Sequence, residues 1–395
     1  MSVRTLRRML IDSDDIAICL DDEVPADAGG SAPVPTPIVQ TSLFAFPDLQ
    51  SLIDGLAAEH STHVYTRGRN PTVEVLERKL ARLERGEECR GFASGMAAVS
   101  AVMMGLLRAG DHILFVNQIY GPTLQLAEQL RRFGIDHDLL LDTDPQRVRD
   151  ALRANTALVW MESPGTMLCR TLDIEAVAGI AREHGAVSCL DNSWATPLFQ
   201  KPITVGVDVV VHSCSKYIGG HSDVMAGAVI TSSERMRPIF ERAYMLHGGI
   251  LAPFEAWLLL RGLRTLPARM RQHHEDGLRV AEFLRTHERV RRVFHPAFPV
   301  HAPTHRSTLT GWSGLLGFEL DTTEYDDVRR VIDRVRKFRI GVSWGGVESL
   351  IITPNRGTNG AQLDAHRIPR GTIRLSVGLE GADILIADLE HALAS

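Results

Sequence analysis

Apolar and polar positions along the chain switch between a helical period and short unbroken runs. In TVEVLERKLARLERG (72–86), Val75, Leu76, Leu80 and Leu83 fall at helical spacing and predict a helix that stops at Gly86. MAAVSAVMMGLLRAG (96–110) predicts a second helix, apolar enough to be buried. DHILFVN (111–117) predicts a strand, PTLQLAEQLRRFG (122–134) a helix ending at Gly134, and ALVWMESP (157–164) another strand. IEAVAGIAREHG (174–185) predicts a helix ending at Gly185; AVSCLDNS (186–193), VDVVVHSCS (207–215) and GAVITS (227–232) predict further strands. Strand and helix in steady turn point to βαβ units and an α/β fold, with a mostly parallel sheet covered on both faces.

The texture changes near residue 250. APFEAWLLLRGLRTLPARMRQHHEDGLRVAEFLRTH (252–287) is helical, with a break expected near Pro267. SGLLGFEL, IGVSWGG and TIRLSV predict strands, and DDVRRVIDRVRKF and DILIADLEHAL predict helices, which together suggest a smaller α+β domain. The expected division is an arm over 1–64, a large domain over 65–250 and a small domain over 251–395. The arm contains DAGGSAPVPTPIVQTS, whose Gly, Pro and Ser content predicts an extended, irregular path.

Composition narrows the class. The 395 residues suffice for more than one domain, and 44% hydrophobic with 23% charged residues is ordinary for a globular protein. A net charge of −5 argues against a nucleic-acid-binding surface as the main purpose. No apolar run approaches the roughly 20 residues of a membrane span, and the first residues lack a secretory apolar region, so no membrane partner and a cytoplasmic location are expected. The five cysteines are scattered without CxxC or His/Cys clusters, suggesting neither a disulfide framework nor a zinc site. They suit buried small apolar positions.

Ligands of open α/β sheets bind beyond the C-terminal ends of the strands. Four groups fall there. ASGMAAV places Ser94, Gly95 and Met96 where a helix begins, a place that favours an anion. CLDNSWA ends a strand with Asp191, which suits a helix cap, a metal ligand or the partner of a protonated ring nitrogen. HSCSK brings Ser213, Ser215 and Lys216 out of the buried Val209–Val210–Val211 run, with Gly219 and Gly220 following; a surface lysine needs no such setting. QIYG offers Tyr120, whose ring could stack on a planar group. One ligand answers all four: anionic at one end, aromatic, with a ring nitrogen for an acid and an aldehyde for a lysine. Pyridoxal 5′-phosphate (PLP) fits.

At these residues the chain resembles the Cys/Met-metabolism PLP enzymes, among them cystathionine β-lyase, cystathionine γ-lyase, cystathionine γ-synthase and methionine γ-lyase. The resemblance runs from PIVQTSLF to TIRLSVGLE. It implies the type I fold of PLP-dependent transferases, similar to aspartate aminotransferase, and homotetramers built from dimers with shared sites. By resemblance, YTRGRNPT supplies Tyr65 and Arg67 to the cofactor phosphate of a neighbouring subunit, and the arm touches that neighbour. Gly95, Met96, Ser213 and Ser215 hold phosphate, Tyr120 stacks on the ring, Asp191 pairs with its nitrogen, and Lys216 forms the Schiff base. Arg374 clamps the substrate carboxylate, with Ser343 nearby and Trp344 and Thr166 on the substrate side. Lys216 then shuttles protons, and Tyr65 and Tyr120 are candidates for proton handling or for phosphate contact and ring packing alone.

The resemblance divides over the reaction. ESPGT, Trp344 in SWGG and YGPT are similar to β-lyases, with Thr166 where γ-enzymes carry asparagine. RGRNPTVEVLE and FASGMAAVSAVMMGLLRAGDHI are more similar to γ-lyases and γ-synthases. Val342 stands where cystathionine γ-synthase and γ-lyase carry glutamate, and Pro122 where methionine γ-lyase carries cysteine. The expectation is β-elimination to a keto acid and ammonia. The alternatives are a γ-lyase acting on a homoserine-type side chain such as methionine or canavanine, a γ-synthase or sulfhydrylase, and a non-catalytic PLP-binding regulator.

Overall fold

The computed structural model describes residues 11–22, 30–298 and 307–394. The opening ten residues and part of the Gly/Pro-rich arm stretch lie outside them. Seven strands form one sheet: β1 (Glu88–Phe92), β2 (His112–Val116), β3 (Asp136–Leu140), β4 (Thr156–Glu162), β5 (Val187–Asp191), β6 (Val209–His212) and β7 (Gly227–Thr231), in the order β1-β7-β6-β5-β4-β2-β3. β7 runs antiparallel to both β1 and β6, and the remaining neighbours are parallel. The unbroken apolar runs are explained by helices on both faces. Leu114, Val159 and Leu190 pack into one buried cluster, while Ile113, Trp160 and Val209 pack into another on the opposite side. Each such side chain contributes about 1.5–3 kcal/mol of burial.

A second sheet follows: β8 (Val290–Phe294), β9 (Leu315–Leu320), β10 (Arg339–Ile340), β11 (Leu350–Ile352) and β12 (Thr372–Ser376), in the order β10-β11-β12-β9-β8. The helices Tyr325–Asp333 and Ala382–Leu393 cover it over a core that includes Phe318, Ile373, Leu385 and Leu389.

Three local expectations are corrected. The helix Pro253–Thr286 runs through Pro267 without a break. Proline in a helix interior costs about 3 kcal/mol. Burial of Leu259, Leu263, Leu266 and Met270 around it outweighs that cost. The helix Pro71–Glu84 ends before Gly86, with Arg85 as a left-handed cap (φ 62°). Gly86 answers a packing need instead, since a Cβ there would lie 2.4 Å from Ile230 Cγ2. IGVSWGG yields strand only at Ile340, because Ser343 (φ 77°) and Gly345 (φ 88°) turn the chain out of any ladder. Residues 30–42 of the arm run without helix or strand, as their composition predicts, and to either side the arm contains helices Ser13–Leu20 and Leu49–Ala57. The first is fastened to its own chain by ion pairs of Lys79 with Asp22 (2.7 Å), Arg85 with Asp15 (3.0 Å) and Lys201 with Asp15 (2.8 Å).

Candidate active site

Parallel register sets the floor of the site. Glu162 ends β4 opposite Asp191 at the end of β5, and Asp191 pairs with Val211, one residue before the end of β6. The carboxylate of Asp191 accepts from the Ser193 N–H (3.0 Å), and the Ser193 hydroxyl accepts from the Ser213 N–H (2.6 Å). Two strand ends are thereby tied together. Burial raises the Asp191 pKa; the Ser193 hydrogen bonds, His212 and Lys216 oppose the rise.

The helix Gly95–Leu106 begins over this floor. Ser94 caps it by accepting from the Ala97 N–H (3.0 Å). The N–H groups of Gly95 and Met96 have no acceptor within the helix by its geometry. A Cβ at Gly95 would sit 2.9 Å from Ser213 Oγ, so glycine lets the helix start meet the Ser213 turn. Ser215 is engaged differently: its hydroxyl accepts from the Ala226 N–H (2.9 Å) and donates to the Ala226 carbonyl (3.2 Å).

Lys216 follows on a tight turn. Its Nζ donates to Ser343 Oγ at 2.5 Å and lies 5.5 Å from the centre of the Trp344 ring. Burial lowers the lysine pKa, Arg374 lowers it further and Asp191 works against both. Arg374, on β12, is itself buried and pushed down to about 10, and it donates to the Ser343 carbonyl at 3.1 Å. The left-handed Ser343–Gly345 loop thus carries Trp344 and Ser343 to the lysine, and Arg374 fastens it. The Tyr217 ring, 5.5 Å from the Trp344 ring, backs the indole.

Glu162 escaped the sequence reading, although the strand-end rule that selected Asp191 applies to it equally. It is buried, accepting from the Tyr120 N–H (2.6 Å) with one oxygen and from the Thr166 hydroxyl (3.2 Å) with the other. Burial and the neighbouring Asp191 charge raise its pKa strongly. Glu162 also sets the backbone of Tyr120, whose ring is half-exposed.

Tyr65 and Arg67 are placed elsewhere. The Arg67 guanidinium lies 5.6 Å from the Tyr65 ring centre, in an open groove of about 330 Å³ that also involves Gln40, Thr41, Ser42 and Pro253. None of the residues around Lys216 lines it. Cys214 is buried and its thiol pKa is driven well up by desolvation, so it supplies no nucleophile. Among the described residues no helix is long and apolar enough to cross a membrane, and no three His, Cys, Asp or Glu side chains cluster as a metal site.

The residues fit PLP. A glycine-lined helix start beside Ser213 offers donors for a phosphate. An acid lies at a neighbouring strand end, and a desolvated lysine faces the same floor. This combination of an open α/β sheet with a strand-end acid and lysine defines a PLP-dependent enzyme of the type I fold. Comparison with known proteins takes the assignment further. The profile of the Cys/Met metabolism PLP-dependent enzymes matches residues 23–394, and the chain belongs to that family. It is 36% identical to a cystathionine gamma-lyase of Bacillus subtilis over 91% of this chain and 94% of the relative. It is 37% identical to the cystathionine beta-lyase MetC of the same organism, over 92% and 93%. A Campylobacter jejuni protein described as an O-acetylhomoserine (thiol)-lyase superposes with a TM-score of 0.88 at 31% identity, covering 96% of this chain and 100% of its own. That crystal structure contains N'-pyridoxyl-lysine-5'-monophosphate. PLP is the cofactor of the family and of this chain.

Proposed function

We propose that this PLP-dependent lyase of sulfur amino acids eliminates a side-chain group from the β-carbon of its substrate, releasing a keto acid and ammonia. The observation that carries the choice is Trp344. Its ring centre lies 5.5 Å from Lys216 Nζ, which supports a role for the indole in narrowing the space for the substrate side chain. Val342 beside it, largely exposed, offers no carboxylate to a distal ammonium.

When bound, PLP supplies an electron sink for the substrate's Cα–H bond. Lys216 is the base. A pKa lowered by burial and Arg374 leaves more of its amine neutral, and the Ser343 hydroxyl holds that amine in place. Arg374 pairs with the substrate carboxylate through two parallel N–H donors, which fixes the Cα–H bond toward the lysine. Asp191, held by the Ser193 N–H, would face the ring nitrogen and favour its protonated form. Gly95, Met96 and Ser213 bind the phosphate, with Ser215 fixing the turn between them and Lys216. Tyr120 covers the ring, and Thr166, held by Glu162, faces the substrate.

Tyr65 and Arg67 serve the site of a neighbouring subunit. Their groove, open and set apart from Lys216 in one chain, supports that reading. The assembly is a homotetramer of dimers with shared sites. A panel of cystathionine, cystine, methionine, canavanine and O-acetylhomoserine tests the reaction. Pyruvate from cystathionine and cystine is expected; 2-oxobutyrate or homoserine-type products instead would assign γ-chemistry.

A further inference from the structure

The turn that carries Lys216 is clamped from behind by a single buried cation. Arg269, on the helix Pro253–Thr286, is 5% exposed. Its Nη1 donates to the Tyr217 carbonyl (2.7 Å), Nη2 to the Gly262 carbonyl (2.8 Å) and Nε to Thr265 Oγ1 (2.9 Å). Those partners are neutral, although a buried guanidinium is costly to desolvate without a carboxylate. Burial accordingly pushes its pKa down to about 10.

The backbone is shaped around this contact. Within the turn, the Gly219 N–H donates to the Cys214 carbonyl (2.8 Å) and the Gly220 N–H to the Lys216 carbonyl (2.7 Å). The Tyr217 carbonyl is left for Arg269. Gly220 has φ 74°, and a Cβ there would stand 2.1 Å from Arg269 Nη1. A Cβ at Gly262 would stand 2.4 Å from the Ile218 carbonyl oxygen and 2.6 Å from that of Gly219. Two glycines from distant parts of the chain thus bring the lysine turn and the helix into backbone contact, and the guanidinium bridges them.

We propose that Arg269 is a positioning residue for Lys216: it fixes the lysine turn against the long helix so that the amine returns to the same point in every turnover. It touches neither substrate nor cofactor. Lys216 must let go of the cofactor, carry a proton and reattach, and a misplacement of about 1 Å in such a group costs on the order of 100-fold in rate. Fixing the end of the turn limits that wandering.

The inference rests on Lys216 as the cofactor lysine, and one experiment separates the two. Holoenzyme is reduced with borohydride, digested, and the pyridoxyl-bearing peptide identified. A tag on another lysine in the unmodified enzyme overturns the Lys216 assignment. With the tag on Lys216, Arg269→Met is expected to lower kcat per bound cofactor by about tenfold or more while leaving KM within about twofold. The pH midpoint of the visible band of the lysine-bound cofactor should also move by about half a unit or more. Arg269→Lys, which can reach one carbonyl at a time, should fall between. Thr265→Val removes the hydroxyl that accepts from Nε and donates to the Gly262 carbonyl, leaves Arg269 in place, and should shift kcat and the midpoint in the same direction. If Arg269→Met does not fold, Thr265→Val carries the test. Variants that melt lower but keep the kcat per bound cofactor and the spectral midpoint of the parent overturn the proposal.

Discussion

Trp344 shows how one side chain can be read two ways by the same contacts. It packs on Tyr217 and its ring centre lies 5.5 Å from Lys216 Nζ, contacts that suit both a packing residue and one that borders the proposed substrate side. The roles part in a variant. Trp344→Leu is expected to raise the ratio of γ- to β-elimination while the cofactor spectrum stays unchanged. Losing a contact to a non-reacting part of the substrate alters relative kcat/KM by roughly 1–3 kcal/mol. A drop in melting temperature with the substrate ranking untouched would make Trp344 a packing residue. At this scale the sequence is informative where residue type and strand end coincide. Asp191 and Lys216 stand out because an acid and a lysine leave buried runs beside small residues. Glu162 leaves a buried run just as abruptly, but its role depends on a neighbour from another strand and on the Tyr120 and Thr166 donors. Those are register facts, and no local pattern carries them.

Elements that are buried on both faces were the legible ones. β2, β4 and β6 appear as apolar runs because each face meets its own helices. β1 was missed, since ECRGF carries Glu88 and Arg90; the Arg90 guanidinium donates through its two terminal nitrogens to Glu77 (3.4 Å) and the His60 carbonyl (3.1 Å), partners invisible in the strand itself. The unbroken helix at Pro267 and the left-handed Ser343–Gly345 loop share a cause: tertiary packing overrides local preference. One close approach between elements is open to test. A Cβ at Gly227, the first residue of β7, would stand 2.3 Å from the Ser94 carbonyl oxygen and 2.9 Å from Gly95 Cα. Those are backbone atoms and cannot swing aside. Gly227→Ala should therefore push the start of the helix Gly95–Leu106 off Ser213, costing about 1–3 kcal/mol of stability. PLP affinity should fall with it, measured by titrating the apoenzyme; a destabilised variant with parental affinity would detach the helix start from the phosphate.

On the scale of the assembly, the separation of Tyr65 and Arg67 from Lys216 makes a sharp demand. Mixing inactive Arg67→Ala subunits with inactive Lys216→Ala subunits should restore part of the activity, because some hybrid sites receive both intact residues. No recovery, once subunit exchange is verified by mass, would place the Arg67 groove outside catalysis.

The whole chain also carries a pH liability where the long helix meets the segments flanking the second sheet. His273 and His274 are buried with pKa values pushed down by desolvation to about 4, and His295 to about 3. Each is held neutral by its place. His273 Nδ1 lies 2.9 Å from the Val377 carbonyl oxygen, His274 Nδ1 accepts from the Trp312 N–H (3.0 Å), and the His274 ring stacks on Trp312. An unfolded histidine titrates near 6.5. Between that value and about 4 the unfolded chain therefore binds more protons than the folded one, so stability rises with pH across this window and is lost as pH falls through it. The loss is on the order of a few kcal/mol for each fully buried histidine. Glu162 works in the opposite sense: its raised pKa adds stability at low pH that is lost as pH rises above the ordinary carboxyl range. Asp191 and Glu77 are raised by burial in the same sense as Glu162, while burial lowers His112 and His137 like the other three; five histidines against three carboxyls predict a lower melting temperature at pH 5 than at pH 7.5. His274→Gln keeps an acceptor for the Trp312 N–H but does not titrate, so the decline between those pH values should be shallower in that variant. An unchanged decline would mean that acid lability arises elsewhere, and that the histidines at this boundary are only space-filling.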